Sequence, residues 1–210
     1  AVDAEGNMYF SGTTMASDLP VVNPYQASFG GTDDAFLAKL NPTGSAILFS
    51  TYLGGNNTDL GGRIVYNPAT DEVTVVGRAS SPNFPTTPGV IKEKLCTTPQ
   101  NCSGIFYSGS FIARFTAAGS IQFATLFDAG LSDVKFDVNN NAVVAGGTSS
   151  AALTTPGAFQ TVSSGGGEGY LGKVNPAGSA IVFGTLLGGR IKSDSIAGVA
   201  LDAGGNKFVG

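Results

Sequence analysis

Apolar residues alternate with other residues in several short segments of this chain, and the pattern recurs at regular intervals. The clearest segments are Phe36–Leu40, Phe111–Phe115 and Tyr170–Val174, which carry apolar or small side chains at every second position. This period predicts β-strands, because successive side chains of a strand point to opposite faces of a sheet. The face opposite the apolar one carries a basic residue in each segment: Lys39, Arg114 and Lys173.

These segments belong to a repeated unit of four predicted strands, named A to D in chain order, and they form its strand C. Strand B precedes each of them and ends at Gly12, Gly77 and Gly146, which are spaced by 65 and 69 residues. Turns rich in Asp, Asn and Gly, such as residues 137–141, join A to B and C to D. No stretch sustains a helical period of about 3.6 residues, so the pattern predicts an all-β protein.

The repeat divides a single domain, residues 1–210, into three units and the beginning of a fourth. The predicted units are about 1–63, 64–131, 132–195 and 196–210. Residues 200–210 restate residues 1–11, so the fourth unit repeats the beginning of the first. Tandem units of four antiparallel strands are typical of β-propeller blades, and we therefore predict a propeller-type array.

Three segments resemble a known family: residues 2–13, residues 34–44 and residues 49–55. They are similar to the SBBP-type bacterial β-propeller repeat, over essentially the whole chain and most strongly in the first and third units. The second unit departs from the pattern at residues 67–71, 109–110 and 128–130. The resemblance implies a propeller fold in a secreted or surface-exposed bacterial protein, and it brings no catalytic residues with it.

Composition narrows the function further. Only 12% of the residues are charged, 31 are Gly, and the net charge is −4. No basic stripe indicates a nucleic-acid partner, and no apolar run approaches the roughly 18 residues of a membrane span. No signal peptide is visible. The low charge and the absence of His and Trp suit an extracellular β protein.

The position of the repeat borders leaves three interpretations open, because propellers typically have about four to eight blades. The chain is an excerpt of a longer repeat protein, or it closes on itself, or it closes with a neighbour. In the last two cases the segment Ile196–Leu201 supplies strand A to the first blade, whose own strand A is almost missing. Donation between chains gives a filament unless the rotation closes a ring. The residues expected in this assembly strand are Ile196, Val199, Ala200 and Leu201.

The two cysteines, Cys96 and Cys102, lie in a B–C connection that is ten residues longer in the second unit. We expect a disulfide that stabilises the loop by about 2 kcal/mol and indicates an oxidising compartment, with two free thiols as the alternative. Two thiols without any His are too few ligands for zinc. We therefore expect no metal and no cofactor.

Carboxylates offer two weaker possibilities. Clustered oxygens could bind calcium, although ordinary capping of the turns explains the same residues without an ion. The candidates are Asp33, Asp34, Asp59, Asp133 and Asp194. Asp18 with Asp33 or Asp34 could hydrolyse a glycosidic bond, but no spacing in the sequence places them at the required separation.

Taken together, these features predict a non-enzymatic secreted or cell-surface scaffold that associates with itself head to tail. Other surface proteins or glycans are further candidate partners. The alternative is a surface propeller that binds carbohydrate or another ligand through aromatic loop residues. The candidates are Tyr25, Tyr107 and Phe159. A propeller glycoside hydrolase is the third hypothesis, and without His the common catalytic triads are excluded.

Overall fold

The computed structural model describes residues 1–95, 109–163, 165–202 and 204–210. Over these residues the chain is 47% strand and 2% helix, which confirms the all-β prediction. The strands are β1 (Met8–Thr14), β2 (Asp34–Leu40), β3 (Ile47–Leu53), β4 (Asp59–Asn67), β5 (Glu72–Ala79), β6 (Gly109–Thr116), β7 (Ile121–Phe127), β8 (Gly130–Phe136), β9 (Ala142–Thr148), β10 (Glu168–Val174), β11 (Ile181–Leu187), β12 (Val199–Leu201) and β13 (Lys207–Val209). One short 3-10 helix covers Ala151–Leu153 in the described part.

The strands form separate antiparallel sheets that follow the repeat. The first sheet is β1-β2-β3, the second is β4-β5-β6-β7, the third is β8-β9-β10-β11, and β12 pairs with β13 in a hairpin. Predicted strands A are thus β4, β8 and β12, while the first sheet begins with its strand B. Strands β4 and β8 span the predicted borders near residues 64 and 132. The described residues form no closed ring of sheets.

The sheets stack face to face, so that each face of the second sheet is covered. One core joins the first sheet to the second, through residues such as Phe49 and Phe111. A second core joins the second sheet to the third, through residues such as Phe123 and Tyr170. Full burial of each such aromatic side chain stabilises the fold by about 2 kcal/mol or more. We call these contacts the first joint and the second joint.

A third, smaller core joins the third sheet to the β12–β13 hairpin, and it contains Val143, Leu171, Ile196 and Val199. The hairpin therefore continues the stack. We call the face of a sheet that looks toward the next sheet along the chain its front face, and the opposite one its back face.

Strand B continues two residues past the repeated glycine that was predicted to end it, and the glycine has a steric cause. A Cβ atom at Gly77 would lie 2.2 Å from the carbonyl oxygen of Leu60, and one at Gly146 would lie 1.9 Å from that of Gly130. Strand A therefore passes too close to strand B at this point for any side chain.

No helix of the described residues is both long and apolar enough to cross a membrane.

Candidate functional site

The basic residue of strand C sits at a repeated irregularity of the sheet. The register between strands C and D shifts at Lys39/Leu40, at Arg114/Phe115 and at Lys173/Val174. Such a bulge bends the strand and redirects its side chains. Because it recurs in all three sheets, it places the three cations equivalently.

The first two cations reach across a joint to the following sheet. Lys39 is buried, and its Nζ donates to the carbonyl oxygen of Ala117 at 3.4 Å. Arg114 is fully buried, and its Nη1 donates to the carbonyl oxygen of Pro176 at 3.2 Å. Ala117 and Pro176 hold the same position in the C–D turns of the second and third sheets. Each cation thus ties its own sheet to the next C–D turn.

In the first and third sheets the cation is also neutralised by the Asp of the A–B turn. Lys39 Nζ lies 2.9 Å from Asp3 Oδ2, and Lys173 Nζ lies 2.6 Å from Asp137 Oδ2. Burial opposes ionisation of Asp3, but hydrogen bonds from Asn7 and Lys39 outweigh it and lower its pKa to about 2. At Asp137 the donors Lys173 and Asn141 likewise outweigh burial and lower its pKa to about 2.

The second sheet uses a different arrangement. Asn67 stands where the other turns have Asp, and the carboxylate nearest to Arg114 is that of Glu72, 3.9 Å from Nη1. The guanidinium also packs over the rings of Phe123 and Phe136, at 5.2 and 4.8 Å from their centroids. Arg suits this site because its planar group can stack on aromatic rings while it donates in several directions.

A glycine of each C–D turn completes the joints. Gly119 has a φ of +87°, and a Cβ there would lie 2.7 Å from Phe49 Cγ of the preceding sheet. Gly178 has a φ of +69°, and its Cβ would lie 2.3 Å from Phe123. These turns need glycine both for the left-handed backbone and for contact with the ring. Gly44 has the same conformation, with a φ of +70°, but the nearest atom to its Cβ position is Met8 Cε at 3.8 Å.

The front face of the third sheet is only partly covered, by the β12–β13 hairpin, whereas the other front faces are covered by a whole sheet. Leu187 is 43% exposed, whereas its equivalents Leu53 and Phe127 are 1% and 0% exposed. Phe183 is half-buried, while its equivalents Phe49 and Phe123 are buried. We call Lys173, Phe183 and Leu187 the tail face.

The back face of the first sheet is uncovered in the same way. Phe10 is 40% exposed, whereas its equivalents Val75 and Val144 are 1% and 0% exposed. The neighbouring Met8, Phe36 and Leu40 are half-buried, and Phe36 meets Phe10 edge to face at 5.9 Å. We call Met8, Phe10, Phe36 and Leu40 the head face.

The residues expected in the assembly strand lie on the third sheet. Ile196 and Val199 are buried, Ala200 is exposed and Leu201 is half-buried. The amide of Ile196 donates to the carbonyl oxygen of Gly146 at 2.9 Å, and that of Val199 donates to Asp133 Oδ2 at 3.0 Å. Burial opposes ionisation of Asp133, but its donors, led by the Val199 amide, outweigh it and lower its pKa. Strand β12 pairs with β13 of the same hairpin through three residue pairs.

The predicted aromatic ligand residues do not form one cluster in the described structure. Tyr25 packs edge to face on Phe115 at 6.3 Å within the first joint, and its hydroxyl donates to the carbonyl oxygen of Pro85 at 3.4 Å. Phe159 is exposed on the B–C connection of the third sheet. Tyr107 lies outside the described residues, as do Cys96 and Cys102.

Two of the candidate carboxylates, Asp34 and Asp59, accept hydrogen bonds from backbone amides of neighbouring loops. Asp34 is fully buried and accepts from the amide of Gly30 at 2.8 Å, while burial raises its pKa. Asp59 accepts from the amides of Gly55 and Ser80 at 2.8 Å. The described ranges contain no group of three or more His, Cys, Asp or Glu residues that could hold a metal ion.

An open depression of about 550 Å³ lies between the A–B turns of the second and third sheets. Its lining includes Tyr66, Asn67, Phe136, Asp137, Ala200 and Leu201. Apolar rings and a few polar groups at this volume are compatible with a small ligand.

No protein-family model matches the chain, and no curated protein matches it significantly. The similarity to the SBBP-type repeat therefore stays a prediction from the motifs themselves.

Proposed function

We propose that this chain is a non-enzymatic scaffold whose stacked sheets associate head to tail with those of a second copy. The single observation that carries the proposal is the repetition of the joint. The chain makes the same contact twice within itself, and one half of that contact is exposed on the head face and the other on the tail face. In a linear repeat each unit is stabilised mainly by its neighbours, so exposed halves favour further stacking.

The β12–β13 hairpin supports association by strand exchange. Residues 207–209 of β13 correspond in the repeat to residues 8–10 of β1. Strand β12 would therefore pair with β1 of a second copy in the register it now makes with β13. It would displace Ala1 and Val2 from the edge of β1 and supply the first sheet with a full strand A. Because only three residue pairs hold β13 on β12, the exchange replaces few hydrogen bonds.

The blade-like stacking and the motifs together favour a propeller of the SBBP type, in a secreted or surface-exposed protein. Further sheets, from a second copy or from additional repeats, would be needed to complete the usual number of about four to eight blades. Lys39, Lys173 and Arg114 Nη1 each make structural contacts at the joints or turns, which favours a role in assembly rather than in catalysis.

Light scattering over a range of concentrations tests the proposal. We expect the average mass of the full chain to rise well above 21.1 kDa with concentration. Deletion of residues 196–210 should abolish the rise and leave a soluble chain whose circular dichroism spectrum still shows the β-sheet structure of the three remaining sheets. A full chain that stays at the mass of one copy at all concentrations would contradict the proposal.

Ligand binding is the second candidate, and the depression between the A–B turns favours it. Tyr25 packs on Phe115 in the first joint, so Phe159 is the exposed one of the two described aromatic candidates. A glycan array probed with the full chain, with Val138→Arg in the lining of the depression and with Phe159→Ala on the exposed loop tests this candidate. Binding that either substitution abolishes would support it, and an array without any signal would oppose it.

A further inference from the structure

The two internal joints obey one contact rule. At each joint the C–D turn of the following sheet sits on the preceding sheet, with its glycine against a Phe of strand D and a carbonyl oxygen near the strand C cation. The pairs are Gly119 on Phe49 with Lys39 donating to Ala117, and Gly178 on Phe123 with Arg114 donating to Pro176. Two independent occurrences in different sequences indicate that the geometry of the sheets sets this rule.

The tail face carries the strand D Phe and the strand C cation of this contact, but in the described structure no C–D turn of a following sheet lies on them. Phe183 stands where Phe49 and Phe123 stand, but it is only half-buried against the third core, and Lys207 Nζ of the hairpin lies 5.6 Å from its ring centroid. Lys173 stands where Lys39 and Arg114 stand, and it is held in place by Asp137.

The head face holds the complementary half. Gly44 has the left-handed conformation of Gly119 and Gly178, yet no ring of a preceding sheet lies against it. Pro42 occupies the position of Ala117 and Pro176, so its carbonyl oxygen is the equivalent acceptor. Phe10, Phe36 and Leu40 correspond to Val75, Phe111 and Phe115, which the first joint buries.

We infer that the head face of one copy docks on the tail face of a second copy in the register of the internal joints, with β1 of the first copy in the place that β13 of the second copy now holds beside β12. Gly44 then packs on the ring of Phe183, and Lys173 Nζ donates to the carbonyl oxygen of Pro42. This inference rests on the proposed self-association and names the surface and contacts by which it occurs.

The occupant of each face is a second copy of this chain for a chemical reason. The tail face requires a left-handed glycine turn with a carbonyl acceptor beside an apolar sheet, and the head face carries that combination. Two head faces cannot satisfy each other, because neither offers a cation or a strand D ring. The contact is therefore heterologous, and it propagates along an open stack unless the rotation closes a ring.

Matched substitutions test the faces without disturbing the cores. Phe10→Lys alters the head face, and Leu48→Lys is its control, because Leu48 is 41% exposed and its equivalents Gln122 and Val182 are exposed as well. Leu187→Lys alters the tail face, and Val182→Lys is its control on the same strand, at 54% exposure.

We expect Phe10→Lys and Leu187→Lys each to weaken association at least about 100-fold in sedimentation velocity, because docking would bury an unpaired ammonium group. The two controls should associate as the unsubstituted chain does. If the unsubstituted chain associates and all four variants match it, the docking inference is wrong while self-association stands. If the unsubstituted chain does not associate, the proposed function itself is wrong. Unchanged urea midpoints of the variants, measured below the association range, show that the monomer remains folded.

Discussion

The second sheet and the first sheet have the same strand pattern but very different surroundings. Both faces of the second sheet are covered, so that Phe111 and Val75 on its back face are buried. On the first sheet the equivalent Phe36 is half-buried and Phe10 is 40% exposed. Burial in this protein is therefore set by the neighbouring sheet rather than by the strand itself. An apolar residue on the uncovered face of an outer sheet can still pack against a further sheet.

The largest effect should come from truncating equivalent phenylalanines on the two sheets. Phe111→Ala removes a ring that is fully buried and stacks on Phe84 at 4.9 Å, so we expect a loss of about 4 kcal/mol in the free energy of unfolding. Phe36→Ala, on the head face, should cost about 1 kcal/mol in the monomer, because much less area is buried. Urea denaturation at low concentration measures both. Equal losses would contradict the comparison.

The next effect should come from the cations of strand C. Lys39→Met leaves Asp3 buried without its ammonium partner, and we expect a loss of about 3 kcal/mol. Lys173→Met should cost about 1 kcal/mol, because the Lys173 side chain is partly exposed on the uncovered tail face. Thermal unfolding of the two monomeric variants measures both losses in stability. A larger loss for Lys173→Met than for Lys39→Met would contradict the comparison.

Acid should then weaken the contacts that Asp3 and Asp137 make in the first and third A–B turns. Asp3 and Asp137 have pKa values of about 2 in the folded chain, below the ordinary value of 3.8, so the folded state binds their protons more weakly. Their contribution is complete above about pH 4 and is lost as the pH falls toward 2, by about 2 kcal/mol for each carboxyl. Asp34 acts in the opposite direction, because burial raises its pKa and protonation relieves that cost.

Urea midpoints between pH 2 and pH 7 measure this acid effect. Asp137→Asn should flatten the decline, whereas Asn67→Ser at the equivalent position of the second turn should leave the slope unchanged, because neither side chain carries a titratable group. A decline that is as steep in Asp137→Asn as in the unsubstituted chain would show that this carboxyl is not responsible.

Local sequence signals predicted much of the fold. The alternation in Phe111–Phe115 and the repeated glycine of strand B located the strands. A period of two and a crowded backbone each restrict which residues can occur, so both are visible in the sequence. The Asp-rich turns were expected to cap themselves, and Asp202 does accept from the amide of Asn206 at 2.8 Å. Strand β4 begins at Asp59, five residues before the predicted border at residue 64, because the small and polar residues at its start show no apolar alternation.

The joints were not predicted, because their partners come from different repeats. Alternation placed Lys39 and Arg114 opposite the apolar face, yet both are buried against the following sheet. A signal for this was present: the units with Lys on strand C have Asp in the A–B turn, whereas the unit with Arg114 has Asn67. Tyr25 was assigned to a ligand-facing loop, and it packs on Phe115 of the next unit. Its surroundings depend on stacking, which no local pattern encodes.

The most direct test of head-to-tail stacking mixes chains that are blocked at opposite faces. A Phe10→Lys chain keeps its tail face and a Leu187→Lys chain keeps its head face, so an equimolar mixture can make one joint and no more. The account predicts that light scattering finds each variant alone at 21.1 kDa and the mixture at twice that mass. A mixture that stays at the mass of one copy, or one that grows beyond two copies, would contradict it.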